Sequence, residues 1–153
     1  MKTLLLALGL MAGSTAQAQP VRFDQQPVSN KEWAAFLQFA RKDPALSKTY
    51  TTLVPDQWEK TTLTRTNAEK PVTGVSWQQA ETYCRWRSAV ATYRQTHNAV
   101  APYQAMEKAN ATAKTQVIYR LPTSQEWETL ASRFNGENIG FRCVQYVKRN
   151  GII

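Results

Sequence analysis

The sequence contains little of what most metal and catalytic centres are built from. It has one histidine, His97, and two cysteines, and none of these lies in a His/Cys/Asp/Glu cluster with the spacing of a zinc site. Its six glycines form no glycine-rich phosphate loop, and no nucleophile elbow or EF-hand pattern appears. We therefore predict a protein with no metal ion and no cofactor, in which the single histidine lies on the surface.

Long apolar runs and long runs of like charge are also missing. The apolar stretch from Leu4 to Met11 is shorter than the roughly 20 residues that a bilayer-spanning helix needs, and no other stretch is longer. The formal net charge is +8, but the basic residues are scattered and alternate with no aromatic repeat. We expect no transmembrane segment and no nucleic-acid partner. The charge would suit an acidic partner such as an anionic glycan or a lipid headgroup, although solubility is the simpler explanation.

The N-terminus has the three parts of a secretory signal peptide. Lys2 provides a basic start, the apolar run follows, and Ala16-Gln17-Ala18 forms the small-residue end at which such leaders are cleaved. A buried N-terminal helix is the alternative, but it would not need an Ala-x-Ala end. We predict that residues 1–18 are removed, that residues 19–153 form a single domain, and that the protein is periplasmic or secreted.

The two cysteines are Cys84 and Cys143. In an oxidising compartment an even number of cysteines favours a disulfide. A bridge that closes so long a loop would stabilise the fold by about 4 kcal/mol in the chain-entropy account. Two buried free thiols, or a reactive one, are the alternatives.

Three helix starts are marked by a Ser or Thr that precedes a Glu or Gln by three residues, the pattern of a capping box. The first predicted helix covers residues 30–41, the second begins after Ser76 and continues towards His97, and the third begins after Thr123. Helical spacing places one set of side chains of each helix inwards. These sets are Trp33, Phe36, Leu37 and Ala40; Ala80, Tyr83, Cys84 and Arg87; and Trp127, Leu130 and Ala131.

Strand signals are fewer than helix signals. Residues 21–23, 117–121 and 139–147 are β-rich, and in the last of these Ile139, Phe141, Cys143 and Val147 would share one face. Residues 47–70 and 96–116 have little apolar periodicity, and the second stretch is interpreted as a surface insertion or a helical excursion. These patterns predict an α+β domain with two to three helices and a small mixed sheet.

Five tryptophans are many for a chain of this length. Trp33, Trp77 and Trp127 follow helix starts, where a role in the core is the expectation. Trp58 and Trp86 are the candidate ligand-binding residues, because an indole can stack on a sugar ring, with core packing as the alternative. No residue stands out as catalytic.

Four segments carry motifs that belong together. They read PVSNKEWAAF at 27–36, KPVTGVSW at 70–77 with YCRW at 83–86, YRLPTSQEWE at 119–128, and IGFRCV at 139–144. In this order they resemble the motifs of the formylglycine-generating enzyme family, also called the sulfatase-modifying factor family. The resemblance covers about half of the chain that would remain after loss of the leader.

The resemblance implies a compact, abbreviated fold related to C-type lectins, with Cys84 paired to Cys143. In the family, a long segment between the third and fourth motifs carries the catalytic cysteines and the calcium-binding loops, and here only residues 129–138 fill that interval. No cysteine is left to bind copper or attack a substrate, and such chemistry needs thiolates. The resemblance therefore implies a pseudoenzyme: a binding or scaffolding module of the bacterial cell envelope, with another envelope protein as its partner.

Three alternatives stay open. A carbohydrate-binding or small-ligand-binding lectin-like protein would use Trp58 and Trp86, but it lacks the acidic cluster of a calcium-dependent sugar site. A divergent enzyme of the family would need the two cysteines as reactive thiols. A decayed fragment would have no function of its own.

Overall fold

The computed structural model describes residues 20–58, 63–133 and 140–151, so the predicted leader lies outside the described residues. The helices are α1 (Asn30–Lys42), α2 (Tyr50–Leu53), α3 (Trp77–Tyr93), α4 (Tyr103–Thr112) and α5 (Ser124–Ala131), with a 3-10 turn at Leu46–Thr49 before α2. The strands are β1 (Arg22–Phe23), β2 (Thr115–Arg120) and β3 (Val144–Arg149). Within this part of the chain the sheet is antiparallel, in the order β1–β3–β2. The α+β class is confirmed. No helix in the described ranges is both long and apolar enough to span a bilayer.

All three predicted capping boxes form. The Ser29 hydroxyl accepts a hydrogen bond from the Glu32 amide, and the Glu32 carboxylate accepts one from the Ser29 amide. Ser76 with Gln79, and Thr123 with Glu126, repeat this reciprocal pair. Each box satisfies backbone donors that a helix start otherwise leaves open, so these three boundaries could be read from local sequence.

The core lies between α1 and α3. The predicted stripe of α1 is buried, and Trp33 stacks on Tyr83 of α3 with ring centroids 5.4 Å apart. Phe36 packs edge-on against the Tyr83 ring, with ring centroids 5.5 Å apart. Phe141 packs edge-on against Trp33, with ring centroids 5.9 Å apart. This aromatic cluster joins the two long helices to the segment that leads into β3.

Helix α3 also covers the outer edge of β2. The Ser88 hydroxyl accepts a hydrogen bond from the Tyr119 amide at 2.7 Å and lies 3.1 Å from the Tyr119 carbonyl oxygen. One helical turn later, the Thr92 hydroxyl makes the same pair of contacts with Val117, at 2.9 and 3.3 Å. Two hydroxyls thus take the place of a neighbouring strand along this edge.

The stretch at 96–116 contains a packed helix, as the helical interpretation predicted. Tyr103 and Met106, three residues apart in α4, are both buried. The Tyr103 amide donates to the Asp43 carboxylate at 2.7 Å, and that carboxylate also accepts from the Ala45 and Leu46 amides. The two inward side chains are too few to make an apolar periodicity visible in the sequence.

Strand β3 begins later than predicted. Cys143 is fully buried and Phe141 half-buried, but both precede the strand, and Val147 near its far end is 37 % exposed. Val147, which was predicted to share one face with Cys143, is therefore exposed, because the core covers the sheet only at the Cys143 end. Ile139 lies outside the described residues.

Candidate functional site

An open cleft of about 790 Å³ lies between the first turns of α3 and α5. The turn before α5 and the segment that leads into β3 complete its walls. Its lining residues are Val75, Ser76, Trp77, Ala80, Leu121, Pro122, Thr123, Ser124, Trp127, Glu128, Gly140, Phe141 and Arg142. The two capping boxes fix both helix starts, so the walls of the cleft are built from locally stable elements.

Trp77 is the exposed aromatic residue of this cleft. Its side chain was predicted to lie in the core, but the residue is 64 % exposed, so that prediction was wrong. Trp77 shares a helix face with Ala80 and Cys84, which are buried. It is the first residue of α3, however, and burial on this face begins at Ala80. Trp127 of α5, also predicted to face inwards, is half-buried and lines the same cleft.

Gly140 and Arg142 form the third side of the cleft. Gly140 has a φ of 80°, and a Cβ at this position would lie 2.9 Å from the Cβ of Pro71. Only glycine fits such a bend, which directs the chain towards Phe141 and Arg142. Arg142 is 4 % exposed, and burial lowers the pKa of its guanidinium while the charge of Asp24 opposes that effect.

The lining of the cleft combines apolar, aromatic and polar side chains. Its surface is mostly apolar and aromatic, with one buried cation, one exposed carboxylate at Glu128 and the hydroxyls of Ser76, Thr123 and Ser124. Among its lining residues, the Thr123 hydroxyl is hydrogen-bonded to the Glu126 carboxylate, and the same two residues form the capping box of α5. Such a surface suits a ligand with a flat apolar part and a few polar groups.

Cys84 and Cys143 lie side by side in the core. They are 1 % and 0 % exposed, and neither lines the cleft. The structure holds them as two thiols joined by a hydrogen bond, and this bond together with burial raises the pKa of Cys84 far above its ordinary value. Their proximity is what a disulfide requires, and the bridge itself stays a prediction.

A half-buried ion pair beside the thiols was not found by sequence reasoning. Both carboxylate oxygens of Asp24 bind the Arg87 guanidinium, and the same carboxylate accepts from the Cys143 amide at 3.2 Å. Burial is the largest single effect and disfavours the charge of Arg87, but the hydrogen bond to Asp24 and the nearby negative charges together outweigh it and raise the pKa of Arg87. Asp24 and Arg87 are 63 residues apart, so no local pattern pairs them. The pair joins the N-terminal segment to α3.

The structure does not bring Trp58 and Trp86 together. Trp86 packs within the aromatic cluster, and its ring centroid lies 5.2 Å from that of Phe36 and 5.7 Å from that of Phe39. Trp58 lines a separate groove of about 690 Å³, together with Tyr50 and the basic end of α1, Arg41 and Lys42. A single site that uses both tryptophans is therefore not formed.

His97 is exposed, and its ring stacks on Tyr93 at 3.9 Å. It lines none of the cavities described above. Within the residues that the structure describes, no three His, Cys, Asp or Glu side chains are grouped so that they could hold a metal ion.

One comparison with known proteins identifies a family. The family model described as sulfatase-modifying factor enzyme 1-like domain matches residues 11–138. The matched range begins within the predicted leader, contains the first three motifs and ends before Gly140. No curated protein and no solved structure matches.

Proposed function

Since the chain belongs to the sulfatase-modifying factor family, we propose that it is a non-catalytic, exported binding module of the cell envelope, with its ligand site in the cleft between α3 and α5. The observation that carries this proposal is the exposure of Trp77 at an apolar cleft. Leaving a large indole in water forfeits the free energy of burying it, so its position on an open wall favours a role in binding. The partner that we propose is another envelope protein.

The state of the two cysteines supports a non-catalytic role. A cysteine that attacks a substrate or binds copper reacts as a thiolate and must be reached from solvent. Cys84 and Cys143 are buried, hydrogen-bonded to each other and absent from the cleft lining, and the pKa of Cys84 is raised. A surface that binds without reacting is the simplest use of this fold.

Site-specific photo-crosslinking in the exporting cell tests the cleft. A photoreactive amino acid replaces Trp77 in one variant and Val100, which is 40 % exposed between α3 and α4, in the other. We expect a discrete adduct with one envelope protein from position 77 and none from position 100. Identical adducts from both positions, or no adduct from position 77, would contradict the proposal.

The groove around Trp58 favours a second candidate function, the binding of acidic sugars. An indole and a phenol beside Arg41 and Lys42 combine ring stacking with positive charge. A glycan array probed with the wild type, Trp58→Ala and Trp77→Ala separates the two candidates. Loss of signal in Trp58→Ala alone would favour the sugar site, and equal signal in all three proteins would remove it.

A further inference from the structure

The edge of β3 that faces β1 is covered over only part of its length. Strand β1 pairs Arg22 with Gln145 and Phe23 with Val144, whereas β2 pairs with every residue of β3 on the other side. In the described part of the chain, residues 146–149 therefore have a strand partner on one side only.

The contacts of α3 show which backbone groups point to this open edge. The amide and carbonyl of Val117 and Tyr119 bind the hydroxyls of Thr92 and Ser88, so they point away from β3. In an antiparallel pair, a residue and its direct partner point these groups either towards each other or apart. Val147, opposite Val117, and Arg149, opposite Thr115, therefore direct their N–H and C=O groups to the open edge.

No residue that the structure describes completes this edge. Continuing the register of β1 would place Pro20 opposite Val147, and proline has no N–H to donate to the Val147 carbonyl. The next position of the same kind, opposite Arg149, would fall at Ala18, the last residue of the leader whose removal we propose. Within the described ranges, the backbone groups of Val147 and Arg149 on this side thus have no strand partner.

The surroundings of the open edge are basic. Lys148 and Arg149 are exposed on opposite faces of β3, and Arg22 is exposed on β1. A shallow depression of about 390 Å³, lined by Val21, Tyr146, Lys148 and Arg120, lies alongside. The same cations disfavour pairing with the identical edge of a second copy, because like charges in adjacent strands repel.

From these observations we propose that the edge at Val147 and Arg149 binds an extended acidic segment of a partner protein, which adds to the sheet as a fourth strand. Backbone hydrogen bonds hold the segment, Lys148 and Arg149 pair with its acidic side chains, and an apolar side chain enters the depression beside Tyr146. This surface is separate from the cleft at Trp77, so the inference rests on the proposed export of the chain but not on the ligand site proposed in the cleft.

Amide hydrogen exchange by NMR tests the proposal on the chain that begins at Gln19. The probe is a blocked nine-residue peptide of alternating Glu and Val. We expect slower exchange at the Val147 and Arg149 amides when the peptide is added, an effect that weakens as salt is raised. A peptide N-methylated at alternate residues, which keeps its charge but loses the edge hydrogen bonds, should give no protection.

Charge-reversal variants test which cations recognise the peptide. The double variant Lys148→Glu with Arg149→Glu should bind the peptide at least about tenfold more weakly. The control, Arg94→Glu with Lys108→Glu, changes the net charge equally at exposed positions elsewhere and should bind like the wild type. Equal binding by both double variants, by the N-methylated peptide, or by a Lys/Val peptide would overturn the proposal.

Two further results bear on the occupant of the edge. Protection of the Val147 and Arg149 amides that rises with protein concentration alone would identify a second copy as the occupant and overturn the acidic-partner assignment. Trp77→Ala should leave peptide binding unchanged. If it abolishes peptide binding, the peptide binds in the cleft and the edge proposal fails.

Discussion

Glu126 has two partners, one local and one supplied by the fold. Its carboxylate closes the capping box with the Thr123 amide at 2.8 Å, and both its oxygens bind the Arg120 guanidinium at 2.7 and 2.8 Å. The hydrogen bonds from Arg120 lower the pKa of Glu126 to about 2, although partial burial acts in the opposite direction. The capping role was predicted from spacing, whereas the Arg120 pair depends on the turn between β2 and α5.

Replacing Glu126 by Gln should isolate the charge of this pair, because Gln retains the cap. A carboxyl group whose pKa is lower in the folded than in the unfolded protein contributes its full stabilisation at pH values above the unfolded-state pKa. This contribution is lost as the pH falls towards the folded-state pKa. We expect Glu126→Gln to lower the free energy of unfolding by about 0.5–1 kcal/mol at pH 7, and by progressively less between about pH 4.5 and 2. Urea denaturation across this pH range measures the difference. Glu128→Gln, on the same helix, is the control, and a difference that does not change with pH would contradict the assignment.

Gly140 is the second residue whose replacement is informative. Gly140→Ala combines a left-handed φ with a contact at 2.9 Å from Pro71, whereas Gly151→Ala, at a φ of 90°, has no atom within 4 Å of the new Cβ. We expect a loss of about 1 kcal/mol for Gly151→Ala from backbone strain alone and about 2–3 kcal/mol for Gly140→Ala. Thermal unfolding compares the two variants. Equal losses would show that the Pro71 contact relaxes without cost.

At the scale of elements, the most informative contact is the one between α3 and β2. Ser88 and Thr92 lie one turn apart on α3 and satisfy the outer backbone groups of two alternate residues of β2. Covering this edge by a helix protects it from pairing with another chain. Nothing in the local sequence distinguishes these hydroxyls from solvent-facing ones, since the strand that they serve is 25 to 31 residues away.

Removal of either hydroxyl should leave a backbone amide of β2 without its hydrogen-bond partner. We expect Ser88→Ala and Thr92→Val each to cost about 1–3 kcal/mol in the free energy of unfolding. The matched control is Thr82→Ala in the same helix, whose hydroxyl bonds only to the Gln78 carbonyl, and it should cost less than about 0.5 kcal/mol. Denaturant midpoints give the energies, and faster exchange of the Tyr119 amide in Ser88→Ala would localise the effect. Similar costs for all three variants would refute this account of the edge.

At the scale of the whole molecule, three long-range contacts meet at Cys143. The Asp24 amide donates to its carbonyl, the Asp24 carboxylate accepts from its amide, and its thiol contacts Cys84. These contacts tie the N-terminal segment, α3 and the approach to β3 into one unit. A covalent bond between the two sulfurs would close this unit.

We expect the exported protein to have a mass that begins at Gln19 and to carry the Cys84–Cys143 disulfide. Thiol labelling must be done in denaturant, because buried thiols would escape the label in the folded protein. No label before reduction and two labels after it would confirm the bridge, and Cys84→Ala with Cys143→Ala should lose about 4 kcal/mol of stability relative to the oxidised protein. An uncleaved chain with two labelled thiols would contradict both export and the bridge.

By itself the sequence determined the features that depend on near neighbours: the three capping boxes, the buried stripe of α1, the inward position of Cys84 and the family. Only the tertiary structure decided that Trp77 is exposed, that Trp58 and Trp86 lie apart, and that β3 has an open edge. The interactions that specify a helix join residues three or four positions apart, so they can be recognised within a short stretch of sequence. Exposure and strand pairing depend instead on which distant segments meet, and two residues of β1 are too few to cover an edge of six.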